Sequence, residues 1–374
     1  MSAPAFKPRF YQQEATDAFI DCLWNEPTEK PLIGMPTGTG KSLVIAMICK
    51  RVLHAVPSAR IVVPTHSQEL VDQDSKALQR YWPDAPFGVY SAGLKQKQSS
   101  MPITFANIQS MVRNVAAFGK QNIMLIDEAH ALAPNEESNY QKVIKTLRES
   151  NASMVVGGLT ATPFRLGQGL LTNGNIFTKF AYDITGRHAF VKLVDMGFLA
   201  PLIPKRPSFQ LDVSRVHQVG GDFNQRELQD AVNVDKITYD ALQESLQVAA
   251  DRRHWLIYCS GIEHVEAVTS MLQAFGEDAV AVHSKMSPDQ RRLNIQRFRD
   301  GQARMVVNDG ILTTGVDFPH ADAIILLRPT SSPGLHVQIL GRGTRPLYAP
   351  GFDLETVEGR LAAIAASEKQ NCLV

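Results

Sequence analysis

Short apolar runs, many of them β-branched, alternate along this chain with longer stretches whose apolar residues recur every three to four positions. In the first half, LIGM (32–35), RIVVPT (60–65), PFGVYSAG (86–93), PITFAN (102–107), IMLIDE (123–128) and MVVGGLTAT (154–162) read as strands. Helical periodicity fills 42–56, 67–80, 108–117 and 137–149. Several strands are apolar at nearly every position, as in a parallel sheet covered on both faces. A second round begins with a long helical region over 224–251. It continues with strands HWLIYCS (254–260), AVAVHS (279–284), ARMVVND (303–309) and AIILLRP (323–329), separated by helices over 262–275, 288–299 and 333–340. The stretch 164–224 has no clear period. FLAPLIPKRP (198–207) reads as a crossover, because its prolines do not suit a continuous helix. The pattern predicts an α/β protein with two domains, 1–205 and 206–374, each a mostly parallel sheet flanked by helices. Functional loops are expected at the carboxyl ends of the strands, and a ligand in the cleft between the lobes. CLV (372–374) is an apolar strand with no turn after it, which leads us to expect a truncated C-terminus and an accessory domain beyond it.

Composition narrows the class. At roughly 150 residues per domain, 374 residues suit two domains. With 44% hydrophobic and 20% charged residues the chain is not largely disordered. Lys plus Arg number 38 against 37 Asp plus Glu, a net charge of +1, which excludes coating of nucleic acid by bulk charge but leaves a local groove open. Cys22, Cys49, Cys259 and Cys372 are too dispersed for a disulfide framework or a cysteine-rich zinc site, and fit a reducing compartment. The first residues lack a signal-peptide core, and no apolar run approaches the roughly 18 residues of a membrane span. A cytoplasmic monomer without a membrane partner is expected.

The strongest local signal is GMPTGTGKS, Gly34 to Ser42, between an apolar strand and a helix. Gly38 and Gly40 let the backbone curl so that N–H groups face phosphate, while Lys41 reaches the β and γ phosphates and Ser42 ligates Mg²⁺. Met35 stands where the strict G-x-x-x-x-G-K-[ST] pattern has glycine. IMLIDEAH ends a strand in Asp127 and Glu128, expected beside the phosphate-loop strand, with Asp127 in the Mg²⁺ shell and Glu128 polarising the attacking water. His130 and the threonines of GLTATP, Thr160 and Thr162, would link this site to the next loop. In the second half, Thr313, Thr314, Gly315 and Asp317 follow a buried strand. Gln338, Arg342 and Arg345 recur at four and three residues, a spacing that puts them on one side of a helix with no acid between them. Paired guanidiniums of this kind await an anion, here the γ-phosphate.

Together these segments resemble helicase superfamily 2 of the DEAH-box type, whose core is two RecA-like lobes with ATP between them and single-stranded nucleic acid across the top. RFYQQEA (9–15) resembles the adenine-contacting segment, which implies Arg9 and Gln12 as nucleotide contacts. PTGTGKS (36–42) matches motif I, so Pro36, Thr37, Gly38, Thr39, Gly40, Lys41 and Ser42 hold the nucleotide. PTHSQEL (64–70), DEAH (127–130), TAT (160–162), TTGVD (313–317) and QILGRGTR (338–345) match motifs Ia, II, III, V and VI. The resemblance implies that Gly315 and Asp317 touch nucleotide and that Arg342 and Arg345 are arginine fingers. It also implies that Thr65, His66, Asn107, Gln109, Ser110, Ser260 and Thr313 contact nucleic acid. LTATPFRLGQG (159–169), EESNYQ (136–141) and LRPTSSPGLHVQILGRGTRP (327–346) are similar to the RadD type of bacterial DNA-repair ATPases and to phage helicases. That type carries a cysteine-rich zinc region absent here, and a Cys where this chain has Ala129. The implied activity is a DNA helicase or translocase of a bacterial or phage-infected cell, using ATP and Mg²⁺ and stimulated by single strands. The alternatives are a duplex-tracking restriction or remodelling motor, an RNA helicase, and a non-hydrolysing ATP-gated binding module.

Overall fold

The computed structural model describes residues 7–132, 137–165, 169–174, 176–206, 208, 214, 216–219, 222–224, 227–228, 235–313 and 315–374. Thr314, Glu136, and most of 207–234, part of which the sequence gives to the start of a long helix, lie outside the described residues. Two compact α/β units form, Met1–Phe190 and Val191–Val374.

The strands of the first unit are β1 (Pro31–Gly34), β2 (Ile61–Thr65), β3 (Phe87–Ser91), β4 (Gln96–Lys97), β5 (Ile103–Asn107), β6 (Ile123–Ile126), β7 (Val155–Thr160), β8 (Phe164–Arg165), β9 (Gly169–Leu170) and β10 (Lys179–Asp183). They build one sheet in the order β10-β1-β7-β6-β2-β5-β3-β4, with β8 and β9 as a separate hairpin. Every neighbouring pair in the sheet is parallel except β3 and β4. β1, β2 and β6 are buried at all positions, as their uninterrupted apolar runs require. The expected neighbourhood of β1 and β6 needs correction. β7 lies between them, so the strand ending in Thr160 separates the phosphate loop from Asp127. Gly157 and Gly158 let β7 fit there: a Cβ on Gly158 would sit 2.6 Å from the Phe177 ring and 2.8 Å from the Ala129 Cβ.

The second unit contains β11 (Leu202–Ile203), β12 (Gln218–Val219), β13 (Asp222–Phe223), β14 (Trp255–Tyr258), β15 (Ala279–Val282), β16 (Met305–Asn308), β17 (Ala323–Leu326) and β18 (Cys372–Leu373). Its sheet is parallel throughout, in the order β11-β18-β17-β14-β16-β15. Successive residues of β14 feed opposite cores. Trp255 and Ile257 pack with Leu272 and Val307, whereas Leu256 and Tyr258 pack with Phe298 and Phe318. The CLV tripeptide supplies β18, in the sheet interior between β11 and β17. Because β11 pairs with β18, the stretch 191–205 belongs with the second sheet, and the units divide at 190/191 and not at 205/206. Among the described residues no helix is long and apolar enough to cross a membrane.

Candidate nucleotide site and nucleic-acid groove

In the first unit β1 delivers the chain into the phosphate loop, and Met35 N–H donates to Thr160 O (2.9 Å). Met35 is fully buried, so the departure from glycine serves the core. Gly38 (φ +96°) and Gly40 (φ +85°) take the left-handed conformation that closes the loop and starts the helix Lys41–Ala55. A Cβ on Gly40 would also lie 2.6 Å from Gln12 Nε2. Gln12, on the helix Phe10–Asn25, donates from Nε2 to Thr39 O (2.7 Å), while its Oε1 accepts from Arg9 N (2.9 Å). Arg9 Nη1 donates to Tyr11 OH (2.8 Å). The RFYQQEA segment thus shapes the phosphate loop from outside. Thr39 Oγ1 closes onto Pro36 O (2.7 Å), and Thr37 and Gly38 are partly exposed at the loop crest.

Lys41 and Ser42 are each 8% exposed. Lys41 Nζ lies 3.6 Å from Glu128 Oε1, and Glu128 Oε2 lies 3.4 Å from His130 Nδ1. The same ring nitrogen is 3.0 Å from Thr160 Oγ1, which accepts from Thr162 N (3.0 Å). Burial pushes the His130 pKa down against the pull of Glu128, so the imidazole is neutral at pH 7 and its ring nitrogen hydrogen-bonds Thr160 Oγ1, with the Glu128 oxygen nearby. Glu128 holds φ +50°, a strained value for a non-glycine residue. Asp127 is buried, and burial followed by the Glu128 charge raises its pKa to about 7 against the opposing pull of Lys41. One of its oxygens has no hydrogen-bond partner.

Two residues that motif matching misses complete this site. Gln73 Nε2 donates to Ser42 Oγ (2.9 Å). Asp74 is fully buried, and its carboxyl is pushed well above the usual range by burial and then by Asp127, with Ser42 pulling it down. The signal was present, since Leu70, Asp74 and Leu78 share one stripe of the helix Gln68–Tyr81 and put an acid on its buried face. Ser42 and Asp127 fit Mg²⁺: both are hard oxygen donors, the buried Asp127 oxygen lacks a partner, and this ion needs only one or two protein oxygens beside phosphate and water. Among the described residues no cluster of three His, Cys, Asp or Glu side chains forms a metal cage. Arg165, also unassigned from sequence, donates to the carbonyls of His130 (3.4 Å) and Leu132, tying β8 to the DEAH segment.

A polar groove of about 340 Å³ lies at the ends of β2, β3 and β5, lined among others by His66, Gln68, Asn107, Gln109, Ser110 and Arg113. Four sequence-predicted nucleic-acid residues meet here. Asn107 caps the following turn, its Oδ1 accepting from Gln109 N (3.1 Å) and Ser110 N (3.3 Å). Gln109 Oε1 accepts from Asn139 (2.9 Å), and His66 Nδ1 is buried without a partner. Thr65 is buried and does not line the groove; its hydroxyl donates to the carbonyl of Ser67 (3.0 Å), a residue that does.

In the second unit Thr313 and Ser260 are also buried, their hydroxyls engaged by Gly310 O (2.7 Å) and His264 Nδ1 (3.0 Å). Both hydroxyls are thus engaged within the chain. Gly315 (φ +74°) turns the chain toward Asp317. The two arginines differ. Arg342 is 5% exposed and donates from Nε to Thr313 O (3.1 Å), from Nη2 to the same carbonyl, and from Nη1 to Val316 O. Arg345 lies beyond the end of the helix Pro333–Gly343 and donates from Nε to Asp317 Oδ1 (2.6 Å). The expectation of one helical face without an acid is therefore corrected: the helix stops before Arg345, and Asp317 comes from the preceding loop. Gln338 is half-buried on that helix.

Comparison with known proteins agrees with this geometry. Residues 5–165 match the family described as Type III restriction enzyme, res subunit, and residues 238–346 match the helicase conserved C-terminal domain. The chain is 24% identical over 355 residues to the putative ATP-dependent helicase IRC3 of Saccharomyces cerevisiae, covering 92% of this chain and 50% of that protein. The chain spans about half the length of the curated relatives it matches first. Among solved structures, the fragment of a putative HsdR subunit of a type I restriction enzyme from Vibrio vulnificus YJ016 superposes with a TM-score of 0.67 at 21% identity, covering 91% of this chain and 62% of that one. The Type ISP restriction-modification enzyme LlaBIII bound to DNA gives 0.67 at 16%, covering 98% of this chain and 27% of that one. With both domains in sequence order and a complete phosphate loop in the first, this chain is a superfamily-2 helicase-like ATPase, related to restriction-enzyme and DEAD/DEAH-type motors.

Proposed function

We propose that this chain is the ATP-hydrolysing motor core of a protein that tracks along duplex DNA, as restriction-type motors do, without obligatory strand separation. The observation that carries the reading is the contact series Lys41–Glu128–His130–Thr160, which joins the phosphate loop to β7 through the carboxylate that activates water in this reading. In this reading the loop amides and Lys41 hold the β and γ phosphates, and Ser42 and Asp127 hold Mg²⁺. When bound, the ion neutralises charge on the phosphate oxygens. Glu128 exchanges its contact with Lys41 for a water, orients it toward the γ-phosphorus and accepts its proton as the bond to the ADP oxygen breaks. Neutral His130 then passes the change at Glu128 to Thr160 and, through its carbonyl, to Arg165. Arg345 acts on the phosphoryl oxygens, while Arg342 braces the loop that carries Asp317.

Duplex DNA is inferred from the match to the res-subunit family and from the likeness to a restriction-modification enzyme described as bound to DNA. A strand-separating helicase is the second reading, favoured by the helicase description of IRC3 and by a groove rich in short polar side chains suited to backbone contacts. The RadD-type DNA-repair assignment rests on the sequence segments alone. Four buried free cysteines suit a reducing cytoplasm, in which we place the protein as a monomer. The test is phosphate release without polymer and with duplex DNA, single-stranded DNA or RNA. Duplex DNA is expected to stimulate most. Stimulation by single strands alone would move the assignment to the helicase, and hydrolysis indifferent to every polymer would overturn both.

A further inference from the structure

Lys369 is 1% exposed and lies in the turn between the helix Val357–Ala365 and β18. Burying an ammonium costs several kcal/mol on the order of the penalties known for desolvated ions, and an apolar side chain would fill the same space without it. Lys369 nevertheless makes no ion pair among the described residues. Its Nζ donates to two backbone carbonyls, Arg345 O (2.7 Å) and Pro319 O (3.0 Å). These carbonyls belong to the segment just past the helix Pro333–Gly343 and to the loop that carries Asp317. The side chains of those same segments meet in the Arg345–Asp317 pair at 2.6 Å. The lysine itself has little freedom. Its N–H donates to Ser367 Oγ (3.1 Å), Ser367 Oγ contacts its carbonyl (2.9 Å), and Cys372 N–H, three residues on, donates to Pro201 O (2.9 Å).

We infer that Lys369 is a positioning residue for Arg345: by bridging the carbonyls of Pro319 and Arg345 it holds the Asp317–Arg345 pair in the geometry required for phosphoryl transfer. Backbone carbonyls fix the chain without competing for the guanidinium, which a carboxylate in the place of Asp317's neighbours would do. An ammonium suits the task because its three donors satisfy both carbonyls at once. Removing it leaves two partly buried acceptors without this donor and frees the Arg345 backbone. A displacement of about 1 Å at such a group lowers rate on the order of 10²-fold in enzymes that depend on placement.

The inference rests on the reading of Arg345 as a residue that acts on the nucleotide, so both are tested together. Polymer-stimulated ATPase is measured on the full chain for wild type, Lys369→Met, Arg345→Ala and the double variant, with thermal unfolding followed in parallel. Lys369→Met is expected to lower kcat by about tenfold or more, in line with a lost placement effect, with KM for ATP unchanged. The double variant is expected to match Arg345→Ala alone, because a residue acting through another adds nothing once that residue is gone. Lys369→Gln keeps two N–H donors on a shorter arm, and the same kcat–KM split and non-additivity are read on it should the methionine variant fail to fold. Wild-type kcat in Lys369→Met beside a crippled Arg345→Ala overturns the role of Lys369 and leaves the reading of Arg345 standing. Losses that multiply in the double variant also overturn it. Wild-type kcat in Arg345→Ala removes the reading of Arg345 itself.

Discussion

Arg342 and Arg345 look equivalent in the sequence, and replacing each by alanine is expected to separate them. Arg342→Ala removes a guanidinium that is 5% exposed and donates to the carbonyls of Thr313 and Val316. Each buried acceptor left without a donor costs about 1–3 kcal/mol, and the lost packing of the stem adds roughly 1 kcal/mol. Relief of the buried charge offsets part of this. A net destabilisation of about 3 kcal/mol follows, a large fraction of the roughly 5–15 kcal/mol that holds a domain folded. Arg345→Ala removes one contact, to an Asp317 side chain that is 55% exposed, and costs below about 1 kcal/mol. The assay is urea unfolding followed by Trp255 fluorescence, with Trp24 and Trp82 replaced by phenylalanine so that only the second unit's core reports. Single-turnover hydrolysis at saturating ATP is measured on the same samples. Arg342→Ala should unfold early, and Arg345→Ala should unfold normally yet hydrolyse slowly. A normal unfolding midpoint for Arg342→Ala, or a loss of several kcal/mol in Arg345→Ala, would refute the division of labour drawn from their surroundings.

Three further outcomes are expected. Glu128→Gln keeps the size of the side chain but loses its basic oxygen, so hydrolysis should fall on the order of 10²-fold or more while nucleotide binding persists; near wild-type single-turnover rates would move the base elsewhere, with His130 the first alternative. Burial pushes the Lys369 ammonium down to about 8 from 10.5. Between these values the unfolded chain binds the proton that the folded chain has lost, so this residue's contribution to stability rises with pH by roughly 3 kcal/mol in total. Denaturation curves at pH 7.5 and 10.5 should show that rise in wild type and lack it in Lys369→Met, and parallel behaviour would contradict it. Arg113 is exposed at the polar groove, and Arg113→Ala should weaken polymer binding uniformly across sequences and reduce the salt slope by about one, read by anisotropy titrations at several salt concentrations.

The α/β architecture was legible because parallel strands announce themselves as short apolar runs. β2, β5, β14 and β16 each fall within a residue or two of the runs that predicted them, and the helix Pro288–Arg299 coincides with the predicted 288–299. β10 was not legible. KFAYD is half-buried at a sheet edge and has too few apolar positions to stand out in a polar stretch. The order of the sheet was not legible either, since nothing in IMLIDE says that β7 intervenes between it and the phosphate loop. Motifs mark the candidate nucleotide site but not its support. Gln73 and Lys369 act through tertiary contacts to Ser42 and to two distant carbonyls, and such partners carry no spacing in the chain, whereas Asp74 shows only as an acid on the buried stripe of its helix. Arg345 shows the limit of periodicity: its three-residue step from Arg342 suggested a shared helical face, yet the helix ends at Gly343.

The central claim, that ATP hydrolysis at Lys41 and Glu128 drives movement along duplex DNA, is tested most directly by displacement of a third strand from a DNA triplex. The duplex stays intact, so the signal reports translocation without unwinding. Wild type with ATP and Mg²⁺ should release the third strand, whereas Lys41→Ala and Glu128→Gln should not. Failure of active wild-type enzyme to release it, or release that proceeds equally in Lys41→Ala, would contradict the account.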